Sequence, residues 1–245
     1  MKKGFHYALL TAAILTLASC STTKYVPDGS YLLDEVRIHT DNKNVKPSNL
    51  SIYVRQNPNS KWFSLIKTQL YVYNWSGRDS TRWVNRALRR LGDAPVIYSK
   101  EETERSREEM TKAVQNMGYM GATVEYIPKI KKKKVKLAYK VNTGEPYIVR
   151  SLKYDVQDEK IWEYMQKDSA STYLSEGMYF NANILDSERQ RITGNLLRNG
   201  YYKFNKDYIS YTADTVRGTY QVDLTLHLAR YRQHSGAELQ DHPQY

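Results

Sequence analysis

The sequence predicts an α+β protein built from two tandem modules, each with the element order strand, helix, helix, strand, strand (βααββ). Three observations support this. A shift of 82 residues aligns residues 95–119 with residues 177–201 without a gap. Each aligned segment reads as an amphipathic helix that ends in Gly-Tyr, and each is followed by two strands with alternating apolar residues. Each module should therefore place two helices on one face of a three-stranded mixed sheet.

Residues 1–19 predict a secretory signal peptide. Lys2 and Lys3 precede an uncharged apolar stretch, residues 7–17. At about a dozen residues, this stretch is shorter than the roughly 20 that a membrane-spanning helix needs, so cleavage is favoured. The Leu-Ala-Ser-Cys sequence that ends at Cys20 resembles the lipobox of bacterial lipoproteins, which implies that Cys20 is acylated. Residues 20–29 would then tether the mature protein to a membrane.

Charge and cysteine content narrow the class of protein. The formal net charge is +11, and removal of Lys2 and Lys3 leaves the mature chain basic. Anionic lipid heads or acidic proteins are plausible neighbours, whereas nucleic acid is not expected to meet an exported lipoprotein. Cys20 is the only cysteine, so no intramolecular disulfide can form. The residues after Cys20 lack signals for surface export or inner-membrane retention, which favours the periplasmic face of the outer membrane.

The first module is expected to span residues 30–143. It begins with a strand over residues 32–40 and a short helix over residues 49–55. Its long helix begins at Ser99, a favourable N-cap with a glutamate three residues later, the spacing of a capping box. Gly118 suits the left-handed conformation that closes a helix, so we expect the long helix to end there.

Each long helix is followed by a predicted hairpin. In the first module, strand residues 122–130 and 135–141 flank the lysine turn, residues 131–134. Solvation alone explains such a charged turn, and contact with anionic lipid heads is the alternative. In the second module the hairpin strands are residues 207–212 and 220–228, in which apolar residues again alternate.

The second module is expected to span residues 144–232. A strand over residues 147–156 and a short helix over residues 160–166 precede a long helix that is capped by Asn181. Residues 233–245 are polar and are expected to be a linker or the truncated start of a further unit.

The element order, the Gly-Tyr helix ends, the hairpins and the Gly-Glu-Pro-Tyr link at residues 144–147 resemble POTRA domains. With the lipobox, the chain is similar to the amino-terminal part of the TamA-like lipoproteins of Bacteroidota, relatives of BamA in outer-membrane protein assembly. The resemblance implies a lipid-anchored periplasmic module that binds client outer-membrane proteins or assembly partners. In that family the POTRA string leads into a barrel, for which this sequence has no room, so a fragment or truncated gene is expected.

The resemblance also implies where partners bind. The second strand of each sheet would lie at an edge, where unpaired backbone groups can accept an extended client segment as a further strand. The predicted docking strips are Ala122, Val124 and Tyr126 in the first module and Asp207, Ile209 and Tyr211 in the second. Edges that are only solvated, or packed against the neighbouring domain, are the alternative.

An insert over residues 57–93 makes the first module longer than an ordinary POTRA domain. We expect its aromatic and apolar residues to extend the core of that module, with the arginines around them in solvent; they include Trp62, Phe63, Leu65 and Trp83. A membrane-facing or partner-facing patch that includes Trp83 is the alternative.

No catalytic residue, metal site or cofactor is predicted, and no small-molecule substrate is expected. The five histidines do not have metal-ligand spacing, and the chain contains no nucleophile elbow, P-loop or dinucleotide fingerprint. A stand-alone periplasmic structural or lipid-binding adaptor remains the other function, and it would need a deep apolar cavity.

Overall fold

The computed structural model describes residues 22–62 and 66–245. The predicted signal peptide and Cys20 lie outside these residues, as do Phe63 and Leu65. The described residues form two compact units. One comprises the described residues up to Met110 together with Val124–Asn142, and the other comprises Thr111–Thr123 together with Thr143–Tyr245.

The first module contains three strands and, among its described residues, four helices. In chain order they are β1 (Leu32–Thr40), α1 (Pro47–Leu50), α2 (Thr68–Trp75), α3 (Trp83–Leu91), α4 (Lys100–Asn116), β2 (Thr123–Lys131) and β3 (Lys134–Asn142). Helix α1 begins at Pro47, where the fixed φ of proline suits a first helical turn. It continues only as a 3-10 turn, Ser51–Tyr53, so the predicted helix over residues 49–55 is shorter and begins earlier.

The second module has the predicted order of five elements. They are β4 (Ile148–Val156), α5 (Glu159–Lys167), α6 (Ala182–Arg198), β5 (Ile209–Thr215) and β6 (Gln221–Leu228). Relative to this module, the first contains two further helices, α2 and α3, and both lie within the predicted insert.

Both sheets are mixed and have the same strand order, β1-β3-β2 and β4-β6-β5. The first strand of each module pairs in parallel with the last, and β5 pairs with β6 in the antiparallel direction. Only Lys132 and Lys133 connect β2 to β3, so these neighbouring strands also run in opposite directions. The predicted α+β architecture of tandem POTRA-like modules is confirmed.

The central strands contribute the core of each sheet. Strand β3 buries Val135, Leu137, Tyr139 and Val141, and β6 buries Val222, Leu224, Leu226 and Leu228. The residues that alternate with them are more exposed, as expected for strands that pack against helices on only one face of the sheet. Tyr220, which the alternation also included, lies before β6 and is exposed.

The predicted ends of the long helices are confirmed. The Ser99 hydroxyl accepts the Glu102 N–H at 3.2 Å, and the Asn181 side chain caps α6 in the same way through the Asn183 N–H. In a capping box, the side chain of Glu102 would accept the backbone N–H of Ser99. In the first module, the side-chain oxygen of Gln56 accepts this N–H instead. Gly118 and Gly200 have positive φ angles of 100° and 90° just after the two helices.

The insert contradicts the prediction that its tryptophans join the core. Trp62 is 65% exposed and Trp83 is 74% exposed. Helix α3 has no buried residue, and the buried residues of the two insert helices are Leu70 and Asn74 of α2. The prediction is therefore wrong for Trp62 and Trp83, and an exposed patch that includes Trp83 stays a hypothesis.

The segment predicted as a linker, residues 233–245, packs against the second module. His242 is buried, its N–H donates to Asp158 at 2.9 Å, and its ring lies against Phe204 and Tyr208. The backbone N–H of Tyr245 donates to the carbonyl of Gly200.

Candidate functional site

The second strand of each hairpin-containing sheet, β2 or β5, lies at a sheet edge, as the resemblance implied. The opposite edges are partly covered at their beginnings. In the first module, the Leu33 N–H donates to the carbonyl of Val96. In the second, the Val149 N–H donates to Met178, so a neighbouring segment occupies the start of β4. The backbone along β2 and β5 is therefore the better candidate for adding a strand.

The predicted docking residues divide into two groups. Val124 and Ile209 are buried, while Tyr126 and Tyr211 are half-buried, so all four side chains turn toward the helices. A partner on these edges would consequently meet main-chain groups first. The other two predicted positions do not lie on the edge strands. Ala122 is buried just before β2, and Asp207 lies in the 3-10 turn before β5.

A groove runs between edge strand β5 and helix α6. It encloses about 420 Å³ and is lined on the strand side by Ile209, Ser210 and Tyr211. On the helix side, the Arg189 guanidinium pairs with Asp186 at 3.3 Å and donates to the carbonyl of Lys206. The groove thus combines an open backbone edge with an apolar floor and a charged rim.

The first module has a matching arrangement beside β2. Arg107 of α4 pairs with Glu104 at 2.5 Å, and the hydroxyl of Tyr126 hydrogen-bonds to the same carboxylate. Residues 104 and 107 align with Asp186 and Arg189 in the 82-residue repeat. The repeat revealed the identical arginines, but only the structure shows that each pairs with an acidic residue one turn earlier, beside an edge strand.

The electrostatics of the groove and of the matching pair beside β2 follow from these contacts. The hydrogen bond from Arg107 holds the pKa of Glu104 below its usual value. Hydrogen bonding from Gln190, with the nearby charge of Lys206, lowers the pKa of Asp186. Burial raises the pKa of Tyr211 far above its usual value, so this phenol stays neutral. The Glu104–Arg107 and Asp186–Arg189 pairs therefore both stay charged at neutral pH.

One set of side chains on the open face of the second sheet resembles an acid–base–nucleophile relay. Asp155 lies 2.9 Å from Nδ1 of His227, and Nε2 of His227 lies 2.9 Å from the Thr212 hydroxyl. The three residues stand on three adjacent strands, and the Asp155 and His227 side chains are 54% and 36% exposed. A hydroxyl nucleophile needs a sheltered, preorganised site, so this set is better explained as a brace across β4, β6 and β5.

Within residues 22–62 and 66–245, no group of histidine, cysteine and acidic side chains is placed to hold a metal ion. In the same part of the chain, no helix is long and apolar enough to cross a membrane.

The chain was compared with known proteins. The family model for POTRA, described as "Surface antigen variable number repeat", matches residues 31–144. A search of curated proteins finds no match. Among solved structures, the chain is similar to BamA from Haemophilus ducreyi lacking POTRA domains 1–3, with 18% identity and a TM-score of 0.39 over 81% of this chain and 29% of that one.

A second similar structure is POTRA1-2 of the periplasmic domain of Omp85 from Anabaena, with 12% identity and a TM-score of 0.34 over 83% of this chain and 98% of that one. These structural scores are too low to carry weight, and the chain spans less than a third of the BamA chain. The family match covers β1 to β3, the insert helices included. Residues 31–144 are therefore a POTRA domain, and the chain carries a POTRA-domain region.

Proposed function

We propose that this protein is the lipid-anchored periplasmic arm of a BamA/TamA-like outer-membrane protein assembly factor. Its POTRA-like modules bind extended segments of client or partner proteins along the edges of β2 and β5, and no catalytic step is involved. One observation carries the proposal: the open edge of β5 borders a groove whose arginine–carboxylate pair recurs beside β2.

The physical basis is strand addition. A client segment that pairs with an edge strand gains main-chain hydrogen bonds whatever its sequence, which suits a protein that must accept many clients. Alternate client side chains would then enter the groove between β5 and α6. Barrel proteins before insertion are rich in such segments, because their strands alternate apolar and polar residues.

Titration with a defined peptide tests this proposal. The probe is a ten-residue outer-membrane barrel strand, and the readout is the backbone amide NMR spectrum of the chain with hydrogen exchange. We expect shifts and slowed exchange along residues 209–215 and 123–131. A matched peptide with proline at alternate positions should produce neither effect, because it cannot donate the ladder hydrogen bonds.

Two other outcomes would contradict strand addition. Shifts confined to the outer edges of β1 and β4 would place binding elsewhere on the sheets. Equal shifts from both peptides would mean that side chains, and not the main chain, are recognised. An Arg189→Glu variant tests the groove itself, because it places a like charge beside Asp186 and should weaken binding at β5 but leave β2 unchanged.

The anchor at Cys20 is tested separately. The Cys20→Ser variant should lose metabolic labelling by a fatty-acid analogue and should keep its apolar stretch, residues 7–17. Retention of label in this variant would contradict acylation at Cys20.

A further inference from the structure

A basic cavity lies where the described chain begins. It encloses about 650 Å³ and is lined by Lys129, Lys131, Lys132, Lys133, Lys134 and Lys136 of the β2–β3 hairpin. Thr22 and Thr23 line the same cavity. We refer to these lysines and threonines as the lysine pocket.

The positive charge of the lysine pocket is only partly compensated. Lys133 pairs with Asp28 at 2.7 Å, and Lys136 pairs with Glu35 at 3.2 Å. The other four lysines make no ion pair among the described residues. Asp34, an acidic residue in the pocket wall, is already paired with the buried Lys67 at 3.1 Å. Several like charges are thus held together without counter-ions, an arrangement that favours an anionic ligand.

The lysine pocket continues into an apolar groove on helix α2. This apolar groove encloses about 360 Å³ and is lined by Ile66, Thr68, Tyr71, Val72 and Trp75. Tyr71 lines both cavities, so the basic and the apolar surfaces adjoin at this residue. Trp75 is 51% exposed on it. Basic side chains beside exposed aromatic ones are typical of surfaces that lie in the interface of a membrane.

The N-terminal segment is fixed on the insert helices. The ammonium of Lys24 donates to the carbonyls of Asn74 and Ser76 at 2.9 and 2.8 Å. The Tyr25 hydroxyl donates to the same carbonyl of Ser76, and Val26 packs in a buried cluster with Leu32 and Leu70. The chain therefore leaves this surface at a defined point.

The distance between the lysine pocket and the proposed anchor at Cys20 determines how deep the pocket would lie in the membrane. Cys20 precedes Thr22 by two residues, or roughly 7 Å of extended chain. The headgroup layer of one leaflet is of a similar thickness, about 5–8 Å. Acyl chains on Cys20 would therefore hold the lysine pocket among lipid headgroups. A soluble acidic protein would fit the charge, but it would not explain a pocket so close to the anchor.

We propose that the lysine pocket and the apolar groove form a membrane-docking face that binds anionic phospholipid headgroups of the leaflet that holds the anchor. Lipid phosphates occupy the pocket, while Tyr71 and Trp75 lie at the boundary with the acyl chains. This face orients the first module on the membrane. The inference rests on the proposed anchor, which determines how deep the lysine pocket lies among the headgroups.

Lysine footprinting on vesicles tests the face. The protein purified from its producing cells is mixed with vesicles of phosphatidylethanolamine and phosphatidylglycerol, or of phosphatidylcholine alone. A water-soluble acylating reagent is added, and modification is measured at each lysine by mass spectrometry. We expect the pocket lysines to react about fivefold more slowly on the anionic vesicles. Lys43 and Lys140 should react equally on both. Lys43 follows β1 and Lys140 lies near the end of β3, away from the turn between β2 and β3.

A pair of charge-matched variants provides the second measurement. In the Cys20→Ser background, Lys129→Glu with Lys131→Glu should reduce co-flotation with the anionic vesicles by about fivefold or more. The control, Lys43→Glu with Lys140→Glu, changes the net charge equally and should leave co-flotation unchanged. Both variants keep the apolar stretch before Cys20.

The outcomes separate the face from the anchor. Equal reactivity of the pocket lysines on both vesicle types, in protein that co-floats, would overturn the docking face. Equal protection by inorganic phosphate without vesicles would also overturn it, because the ligand would then be a free anion. Failure to co-float with phosphatidylcholine vesicles alone would contradict the anchor and leave the face supported if anionic vesicles still protect the lysines.

Discussion

At the scale of single residues, a buried carboxylate organises the second module. Glu188 accepts hydrogen bonds from the Thr172 hydroxyl at 2.8 Å and the Tyr173 N–H at 3.0 Å. It also pairs with Arg191 at 2.7 Å and is only 1% exposed. These contacts hold the loop between α5 and α6 against the long helix. The carboxylate is thus a structural group, although a buried acid is often a catalytic one.

Replacement of this carboxylate should destabilise the module. Glu188→Gln keeps the shape but removes the charge that balances Arg191, so we expect a loss of roughly 2–4 kcal/mol in the free energy of unfolding. Glu163→Gln is the control, since Glu163 and Lys167 form an exposed pair 3.8 Å apart and should contribute little. Urea denaturation of both variants measures the difference. Equal stabilities would show that the buried pair is energetically neutral.

His242 should make the second module sensitive to mild acid. Burial lowers the pKa of this imidazole, so the folded state binds its proton less readily than the unfolded state. Stability from the neutral ring is present above about pH 6.5 and is lost as the pH falls below that value. We expect a lower urea midpoint at pH 5.0 than at pH 7.5. His242→Gln should reduce this difference, whereas His234→Gln, at an exposed position, should not.

At the scale of elements, the ends of the long helices depend on glycine. Gly200 has a φ of 90°, and a Cβ there would lie 2.5 Å from the carbonyl oxygen of Tyr245. Gly200→Ala should therefore cost at least about 1–2 kcal/mol of stability. Gly194 lies inside α6 with no atom closer than 3.6 Å to its Cβ position, so Gly194→Ala should stabilise by about 0.5–1 kcal/mol. Thermal unfolding of the two variants should show opposite shifts.

The insert helices differ in how much they contribute to the core. Trp83 on α3 is exposed, so Trp83→Ala should change the free energy of unfolding by no more than about 0.5 kcal/mol. Leu70 on α2 is fully buried, and Leu70→Ala should cost roughly 2–5 kcal/mol. Denaturant unfolding compares them. A large loss in the tryptophan variant would restore the interpretation that α3 belongs to the core.

At the scale of the whole molecule, local patterns predicted the elements and long-range contacts decided the site. Alternation in β3 and β6 and the caps at Ser99 and Asn181 are set by neighbouring residues, so they can be read from the sequence. The bulges between Leu33 and Glu35 and between Val149 and Ser151 are not. They depend on the parallel partner strand, which lies far along the chain.

The insert shows why the rest could not be predicted. The amphipathic pattern of α3 indicated a buried face, but no residue of α3 is buried, and Leu70 of α2 packs with Val26 and Leu32. The lysine turn looked like an ordinary solvated hairpin. In the folded chain, Thr22 and Thr23 of the N-terminal segment pack near this turn and line a cavity together with its lysines. In both cases the deciding contact joins segments that are distant in sequence.

Net charge adds a prediction for the complete chain in acid. Hydrogen bonds from Arg191, Tyr173 and Thr172 outweigh burial and hold the pKa of Glu188 below its usual value, and pairing with Arg150 and Ser151 lowers that of Asp223 to about 2. Stability from such carboxylates is present above their unfolded pKa values, near 4, and is lost as the pH falls through the folded ones.

Protonation also leaves 37 lysine and arginine side chains without the charge of 26 acidic ones, so self-repulsion grows. We therefore expect the urea midpoint to fall steeply below about pH 4.5 and to recover in part when added salt screens the repulsion. Loss of midpoint without recovery in salt would assign the effect to the local carboxylate contacts alone, and Glu188→Gln should then show a shallower dependence on pH than the unmodified chain.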